Sequence, residues 1–360
     1  MESSETMLIL EKKDHRAQEA LRTGFLEKQR VLAREILNDQ VSGSEKIIFE
    51  MIPSRNNRPK GIKPYLKAIR AFSITATFTP CLAVTLYSYY KHISFSWPLA
   101  ACALIAVCLL QIAINIFNDV EDYRKLIDLP NTTGGSGVIQ DAWWTPLQLR
   151  RIAWFSLLIG SSLGLIPLYF NFQNLIWISL FAFLGVLGYS AKTFGLKYNN
   201  LGDLAVFLLC GPALTVGYSI ATTGQFNREV ILIGVYFGLL AMALLHINNL
   251  QDMQLDSSRG ISTLAIKLGF RKSKSFLYFL YFATYFILIF MVASRDLPKV
   301  SLLNIVVEGI ILLPLLKSLR AASGPQSQSL FQSRVKAAQV HLVSGLGLCF
   351  FLLVGTFLWA

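Results

Sequence analysis

Two short stretches gather side-chain oxygens. The first, "NDVEDYRKLID" from Asn118 to Asp128, places Asp119, Glu121, Asp122 and Asp128 directly after the apolar run "PLAACALIAVCLLQIAINIF". The second, "NNLQDMQLDSSRG" from Asn248 to Gly260, follows another apolar run and supplies Asn248, Asn249, Asp252 and Asp256. On a helix, residues three and four apart share a face. Asn115, Asp119 and Asp122 therefore form one stripe of oxygen ligands, and Asn249, Asp252 and Asp256 form another. Asn118 also shares a face with Asp122, which leaves the inward pairing of the first motif open. Hard oxygen donors without a thiolate or imidazole partner suit Mg²⁺, which keeps waters and favours phosphate oxygens. Two such stripes facing each other would hold a diphosphate through bridging metal ions.

A plainer reading is that acidic residues merely mark helix ends. Two physical facts count against it. Carboxylates at a helix carboxyl terminus oppose the helix dipole, and the cytoplasmic end of a membrane helix favours lysine and arginine. The arrangement also occurs twice, four apolar segments apart.

The elements that must position these stripes are membrane helices. Nine apolar stretches, each near the ~20 residues needed to span a bilayer, fall at about 68–90, 97–118, 149–170, 174–191, 201–222, 229–250, 275–294, 300–316 and 337–359. None alternates like a strand, and an open sheet edge does not survive in lipid. The expected fold class is therefore all-α: a polytopic membrane protein of nine transmembrane helices over residues 61–360. Residues 1–60 read as a polar tail and linker. Within that tail, Leu21, Phe25, Leu32 and Ile36 recur at helical spacing among mixed charges, which predicts an amphipathic helix over "AQEALRTGFLEKQRVLAREIL". The amino terminus lacks the basic start, long apolar region and small-residue cleavage site of a signal peptide.

Composition agrees. The chain of 360 residues is 54% hydrophobic and only 15% charged, where a soluble domain carries about a quarter charged residues. Its net charge of +12 is explained by the positive-inside bias, so nucleic acid is not an expected partner. Short loops on one side hold Arg124, Lys125, Arg150, Arg151, Lys192, Lys197, Arg259, Lys267, Arg271, Lys272, Lys274, Lys317, Arg320, Arg334 and Lys336; those on the other hold only Lys91, Arg228, Arg295 and Lys299. The first side is expected to be cytoplasmic and, with the tail, to carry both acidic motifs and both large loops. The five cysteines lie in apolar runs with no zinc spacing, and the four histidines are scattered. His246, close to the second motif, reads as a packed histidine.

With these motifs the chain resembles the UbiA superfamily of intramembrane prenyltransferases, which has nine transmembrane helices and aspartate-rich motifs on the second and sixth. The resemblance covers about residues 61–360. "NIFNDVEDYRKLID", "NNLQDMQLDSSRGISTLAIKLG", "GYSAKTFGLKYNNLGDLAVFLLCGPALTVG" and "AIRAFSITATFTP" are similar to the branch that prenylates 1,4-dihydroxy-2-naphthoate in the menaquinone pathway. Where the branch carries basic residues after the second motif, this chain has Ser257, Ile261 and Ser262, with Arg259 displaced. Its loop "PNTTGGSGVIQ" is also poor in arginine.

The resemblance implies transfer of a polyprenyl group from its diphosphate to an aromatic acceptor in an inner membrane. Asp119, Asp122, Asn249, Asp252 and Asp256 are the implied Mg²⁺ ligands. Tyr189 and Lys192 are implied next to the reacting centre. Arg70, Asn115, Asn118, Asp128, Lys197, Tyr198, Asn248, Arg259 and Lys267 are the implied substrate contacts. Phe117, Tyr123, Tyr189 and Tyr198 are candidates to face an allylic cation. Three other readings stay open at this stage: a different acceptor (4-hydroxybenzoate, haem, a chlorophyll precursor or a sugar phosphate), a cation-coupled transporter built on intramembrane carboxylates, and a non-catalytic descendant serving as a scaffold, to which the missing basic residues point.

Overall fold

The computed structural model describes residues 7–38, 45–53, 58–130, 135–189 and 195–359. The chain opens with strand β1 (Met7–Glu11), helix α1 (His15–Thr23), strands β2 (Phe25–Leu26), β3 (Gln29–Asn38) and β4 (Glu45–Met51), and a short helix α2 (Lys63–Ala68). Longer helices follow: α3 (Thr75–Tyr90), α4 (Trp97–Arg124), α5 (Pro146–Phe170), α6 (Phe172–Tyr189), α7 (Gly202–Cys210), α8 (Pro212–Thr223), α9 (Arg228–Ser258), α10 (Leu264–Ala293), α11 (Leu303–Ala321) and α12 (Ser333–Trp359). Among the described residues, nine segments are long and apolar enough to cross a membrane. The protein is an integral membrane protein. Its fifth span is α7 and α8 together, broken at Gly211–Pro212, because proline brings no N–H to the helix ladder.

Several helices outrun their apolar stretches. α4 continues to Arg124 and α9 to Ser258, so Asp119, Asp122, Asn249, Asp252 and Asp256 all sit on helical backbone. The two helices also end alike. After α4, Leu126 takes a left-handed φ of 61° and the Ile127 N–H donates to the Asp122 carbonyl at 2.8 Å. After α9, Gly260 has φ 70° and the Ile261 N–H donates to the Asp256 carbonyl at 3.0 Å. This six-to-one bond is the Schellman closure, which satisfies an orphan carbonyl at a helix end. In each motif it is an aspartate's own carbonyl that closes the helix.

The chain divides into two compact units. The first comprises Met1–Ala71 and Ile112–Leu158. Here the expected amphipathic helix is corrected. Only α1 is helical; Gly24 ends it with φ 79° and an N–H bond to the Ala20 carbonyl at 2.8 Å. Glu27 and Lys28 then turn the chain with φ 47° and 70°, the two left-handed residues of a type I′ hairpin. The remainder of the stretch becomes β2 and β3 of an antiparallel sheet ordered β1-β4-β3-β2. A bulge between Ala33 and Glu35 shifts the register. As a result Leu26, Val31, Leu32 and Ala33 are buried, whereas Phe25, on the expected stripe, is exposed. The sheet, α1 and the first turns of α5 share one core with Ile116, Val120 and Tyr123 of α4. The Ala33 N–H donates to the Tyr123 hydroxyl at 2.9 Å, which ties β3 to the end of the helix that carries the first motif.

The second unit comprises Phe72–Gln111 and Ile159–Ala360. α9 runs through its core and packs on α7, α8, α10 and α12. A buried polar group interrupts the apolar packing between α9, α10, α11 and α12. Glu308 of α11 accepts bonds from the Tyr236 hydroxyl of α9 (2.8 Å) and the Thr284 hydroxyl of α10 (2.7 Å). Asn304 of α11 donates to the Tyr236 hydroxyl and to the Ser344 carbonyl of α12, both at 3.0 Å. Of the five cysteines, Cys81 and Cys349 are buried and the others half-buried; all are free.

Candidate functional site

In the first unit the acidic motif lies inside the protein. Asn115, Asn118, Asp119, Asp122 and Asp128 are all buried, so both possible stripes of the motif are covered. Asn115 donates to the Ile69 carbonyl at 3.3 Å, and Arg70 forms an ion pair with Asp119. Both contacts depend on the turn after α2, where Arg70 adopts φ 50°. A non-glycine residue held left-handed is unusual, and here it brings the guanidinium onto Asp119. Burial works to lower the Arg70 pKa, but Asp119, Asp128 and Asp122 outweigh it and carry it upward. The loop after α4 completes the group. The Ser136 N–H donates to the second Asp119 oxygen at 3.1 Å, and Gln140 donates to the Asp128 carbonyl at 2.9 Å.

Gly135 shows how tightly this loop is laid. It has φ 61°, and a Cβ there would stand 2.8 Å from Asp128 Oδ2, 3.1 Å from Asp119 Oδ1 and 3.3 Å from Arg70 Nη2. Gly135 therefore keeps open the space beside two carboxylate oxygens and a guanidinium. The Ser136 hydroxyl is buried nearby without a hydrogen-bond partner.

The second unit holds the other motif. The Asn249 side-chain N–H donates to Asp203 Oδ2 at 3.1 Å, and His246 Nδ1 lies 2.7 Å from Asp203 Oδ1. Asp203, in the first turn of α7, is 1% exposed and His246 is 0% exposed. With its N–H committed to Asp203, Asn249 has its carbonyl oxygen left for a ligand. Asp252, one turn on, pairs with Arg334 of α12. Arg334 also donates to Gln251, which in turn donates to the Leu330 carbonyl. Asp256 is buried at the closing turn of α9.

The remaining sequence-derived candidates are placed as follows. Tyr189 is the buried last residue of α6. Lys197 and Tyr198 share a 3₁₀ turn, the ammonium 5.6 Å from the ring centroid. Asn248 and Arg259 are half-buried, and Lys267 is exposed in the opening turns of α10. Lys192 and residues 131–134 of the loop "PNTTGGSGVIQ" lie outside the described residues. Tyr123 is buried beneath the sheet, and Phe117 stacks edge-on with Trp154 at 5.2 Å; both rings are committed to packing in the first unit. Spacing alone did not single out Asp203, His246, Arg334, Gly135 or Ser136 as neighbours of the motifs. A buried Asp–His pair leaves its signal only in three dimensions.

Among the described residues no three carboxylate, histidine or cysteine side chains converge as a ready-made metal cage. Mg²⁺ does not require one; it is held by one or two carboxylates with waters and substrate phosphates. The donor set here is hard oxygen throughout, with the space kept by Gly135 and the orphaned Ser136 hydroxyl beside it. The residues fit such an ion.

Comparison with known proteins points in one direction. Residues 77–343 match the model of the UbiA prenyltransferase family. The chain is 28% identical over 225 residues to "UbiA prenyltransferase domain-containing protein 1" of Dictyostelium discoideum, covering 61% of this chain and 66% of that one. It is 32% identical over 180 residues to the 1,4-dihydroxy-2-naphthoate octaprenyltransferase of Haemophilus influenzae, covering 48% and 58%. The matched stretch thus spans somewhat under two thirds of these relatives' length. In fold, it matches a UbiA homolog from Archaeoglobus fulgidus bound to GPP and Mg²⁺, with a TM-score of 0.54 and 15% identity, covering 80% of this chain and 99% of that one.

Proposed function

Because this chain belongs to the UbiA prenyltransferase family, we propose that it transfers a polyprenyl group from its diphosphate to an aromatic acceptor, 1,4-dihydroxy-2-naphthoate. The observation that carries this reading is the buried group of Asn115, Asp119, Asp128 and Arg70 around Gly135. It combines hard anionic ligands with a phosphate-binding cation at one point. The acceptor rests on the motif resemblance and on the name of the Haemophilus relative.

In this reading Asp119 and Asp122 on α4 would hold Mg²⁺ in the first unit, and Asn249, Asp252 and Asp256 on α9 would hold it in the second. Bound Mg²⁺ supplies neutralisation of the charge that builds on the departing diphosphate. Arg70 offers its guanidinium fork to phosphate oxygens. Asp203 fixes the Asn249 amide so that its oxygen is presented. Tyr189 and Tyr198 offer ring faces to the allylic cation left when the donor's C–O bond breaks. The acceptor ring then forms a C–C bond to that carbon and gives up its proton. Lys192, Lys197, Asn118, Asn248, Arg259 and Lys267 complete the proposed diphosphate contacts.

The test is a turnover assay of purified protein in detergent, with one long-chain prenyl diphosphate and a panel of acceptors, with and without Mg²⁺. The expected result is Mg²⁺-dependent product with dihydroxynaphthoate, and turnover lowered on the order of a hundredfold or more in Asp119→Asn and in Asp252→Asn. Undiminished turnover in both variants removes the site assignment. Product only with another acceptor keeps the chemistry and changes the substrate.

A further inference from the structure

We propose that Arg334, in the opening turn of α12, is a further contact for the donor's diphosphate in the second unit, standing to Asp252 as Arg70 stands to Asp119. This role rests on Mg²⁺ and diphosphate being the ligands of the acidic motifs. Each motif has its first aspartate paired with an arginine from another element of its own unit. Asp119 on α4 pairs with Arg70, which follows α2. Asp252 on α9 pairs with Arg334, 82 residues further on. A second contact fixes the Arg334 guanidinium. Its Nε donates to the Gln251 side chain, and the Gln251 amide donates to the Leu330 carbonyl in the 3₁₀ turn Gln328–Leu330 that precedes α12. Gln251 therefore orients one edge of the fork, and Nη2 is the atom that reaches Asp252. A guanidinium carries five N–H donors in one plane, enough to keep Gln251 and meet an anion larger than a single carboxylate.

Three observations separate this pair from a mere tie between helices. First, α9 and α12 need no such tie, because Leu250, Leu330, Ala337 and Val340 already share one apolar core. Second, the pair is within reach of a ligand. The side chains of Arg334 and Asp252 are 25% and 22% exposed, and a pair open to solvent adds little to stability. Third, the charge stands against the helix dipole. The first turn of α12 has no acidic residue, and the positive end of a helix disfavours a cation. An arginine placed there and steered by a glutamine onto a proposed metal ligand suits an anion bound at that ligand. Little else in the sequence after the motif could supply the charge: between Asp256 and Lys267 the chain offers only Arg259.

The pairing has two consequences of opposite sign. Toward a bare divalent ion, Arg334 is a competitor, since like charges contend for the same Asp252 oxygens. Toward an ion that arrives with diphosphate, Arg334 is a partner. Asp252 turns from the guanidinium to the ion, and the guanidinium turns to phosphate oxygens, which its fork matches bidentately.

The test uses the full chain in detergent and two probes: Mn²⁺ alone, titrated by electron paramagnetic resonance, and inorganic pyrophosphate with Mg²⁺, titrated by calorimetry. Arg334→Gln is expected to weaken pyrophosphate binding about ten- to a hundredfold, while Mn²⁺ alone binds as well as before or a few-fold tighter. Arg334→Lys, which keeps the charge and loses the fork, should fall between the wild type and Arg334→Gln for pyrophosphate. Lys336→Gln, an equal charge loss from the same turn at a side chain that donates to the Ser318 hydroxyl at 2.6 Å, should bind pyrophosphate as the wild type does. Wild-type pyrophosphate affinity in Arg334→Gln overturns the proposal. So does an equal loss in Lys336→Gln, which would make the effect one of general surface charge. A joint fall of Mn²⁺ affinity, pyrophosphate affinity and melting temperature in Arg334→Gln also overturns it, leaving the pair a structural tie. The failure of the underlying reading looks different: a wild-type protein that takes up no pyrophosphate with Mg²⁺ removes the proposed function, and this contact with it.

Discussion

Asp203 would act on a ligand only through Asn249. One of its oxygens takes the Asn249 amide and the other faces His246, deep in the second unit. Groups that orient a metal's ligands typically matter 10–100-fold in affinity. Asp203→Asn is therefore expected to weaken Mn²⁺ binding by about that factor, read by electron paramagnetic resonance in the absence of substrate. His246→Gln, which retains a polar group toward Asp203, should lose less than His246→Ala. If Asp203→Asn leaves ion affinity unchanged while lowering the melting temperature, the network is structural. Gly135 tests the first motif in the same way. Gly135→Ala would force a left-handed φ on alanine, costing about 1–3 kcal/mol, and would press a methyl group onto Asp128 and Asp119. Ion binding should fall without any change of charge, measured by the same titration.

At the scale of elements, the Tyr123 hydroxyl joins sheet to membrane helix. Tyr123→Phe would leave the buried Ala33 N–H without its acceptor, a loss of about 1–3 kcal/mol. Hydrogen exchange should then quicken across β3 while the second unit stays protected. Glu308 performs a comparable role in the second unit. Glu308→Gln keeps an acceptor for Tyr236 and Thr284, whereas Glu308→Ala takes the acceptor from the buried Tyr236 hydroxyl and leaves Thr284 only the Tyr281 carbonyl at 2.6 Å. The alanine variant should melt well below the glutamine variant. These elements differ in how far the sequence revealed them. The spans were legible because twenty apolar residues admit little besides a membrane helix. The acidic motifs were legible because carboxylates are out of place where they stand. The small sheet was not. Its hairpin turns on Glu27 and Lys28, without the Asn-Gly or Asp-Gly signal of a type I′ turn. β3 buries three residues in a row, Val31, Leu32 and Ala33, just before a bulge between Ala33 and Glu35, so no clean alternation shows, and Leu21 and Leu32 supplied a helical spacing that proved coincidental. Asp203 with His246, and Arg334 with Asp252, were hidden for a different reason: partners 43 and 82 residues apart leave no periodic trace.

For the molecule as a whole, the remaining physical question is which way it sits. If the nine candidate spans among the described residues all cross, the ends of α4, α6, α9 and α11 and the starts of α5, α7, α10 and α12 fall on one side. That side has Arg150, Arg151, Lys267, Arg271 and Lys272 together with both acidic motifs, while the other has only Lys91, Arg228, Arg295 and Lys299 near its helix ends. Lysine and arginine in short loops set orientation, and carboxylates contribute little to it. The acidic motifs therefore do not offset the basic bias, and both are expected to face the cytoplasm. Single cysteines at Lys272 and at Arg295, in a chain with its five native cysteines replaced by serine or alanine, would decide this. In intact cells a membrane-impermeant maleimide should label the Arg295→Cys protein and spare Lys272→Cys until the cells are opened. The reverse pattern would put both motifs on the outer face, where a cytoplasmic supply of prenyl diphosphate could not reach them, and would remove the proposed reaction along with the orientation.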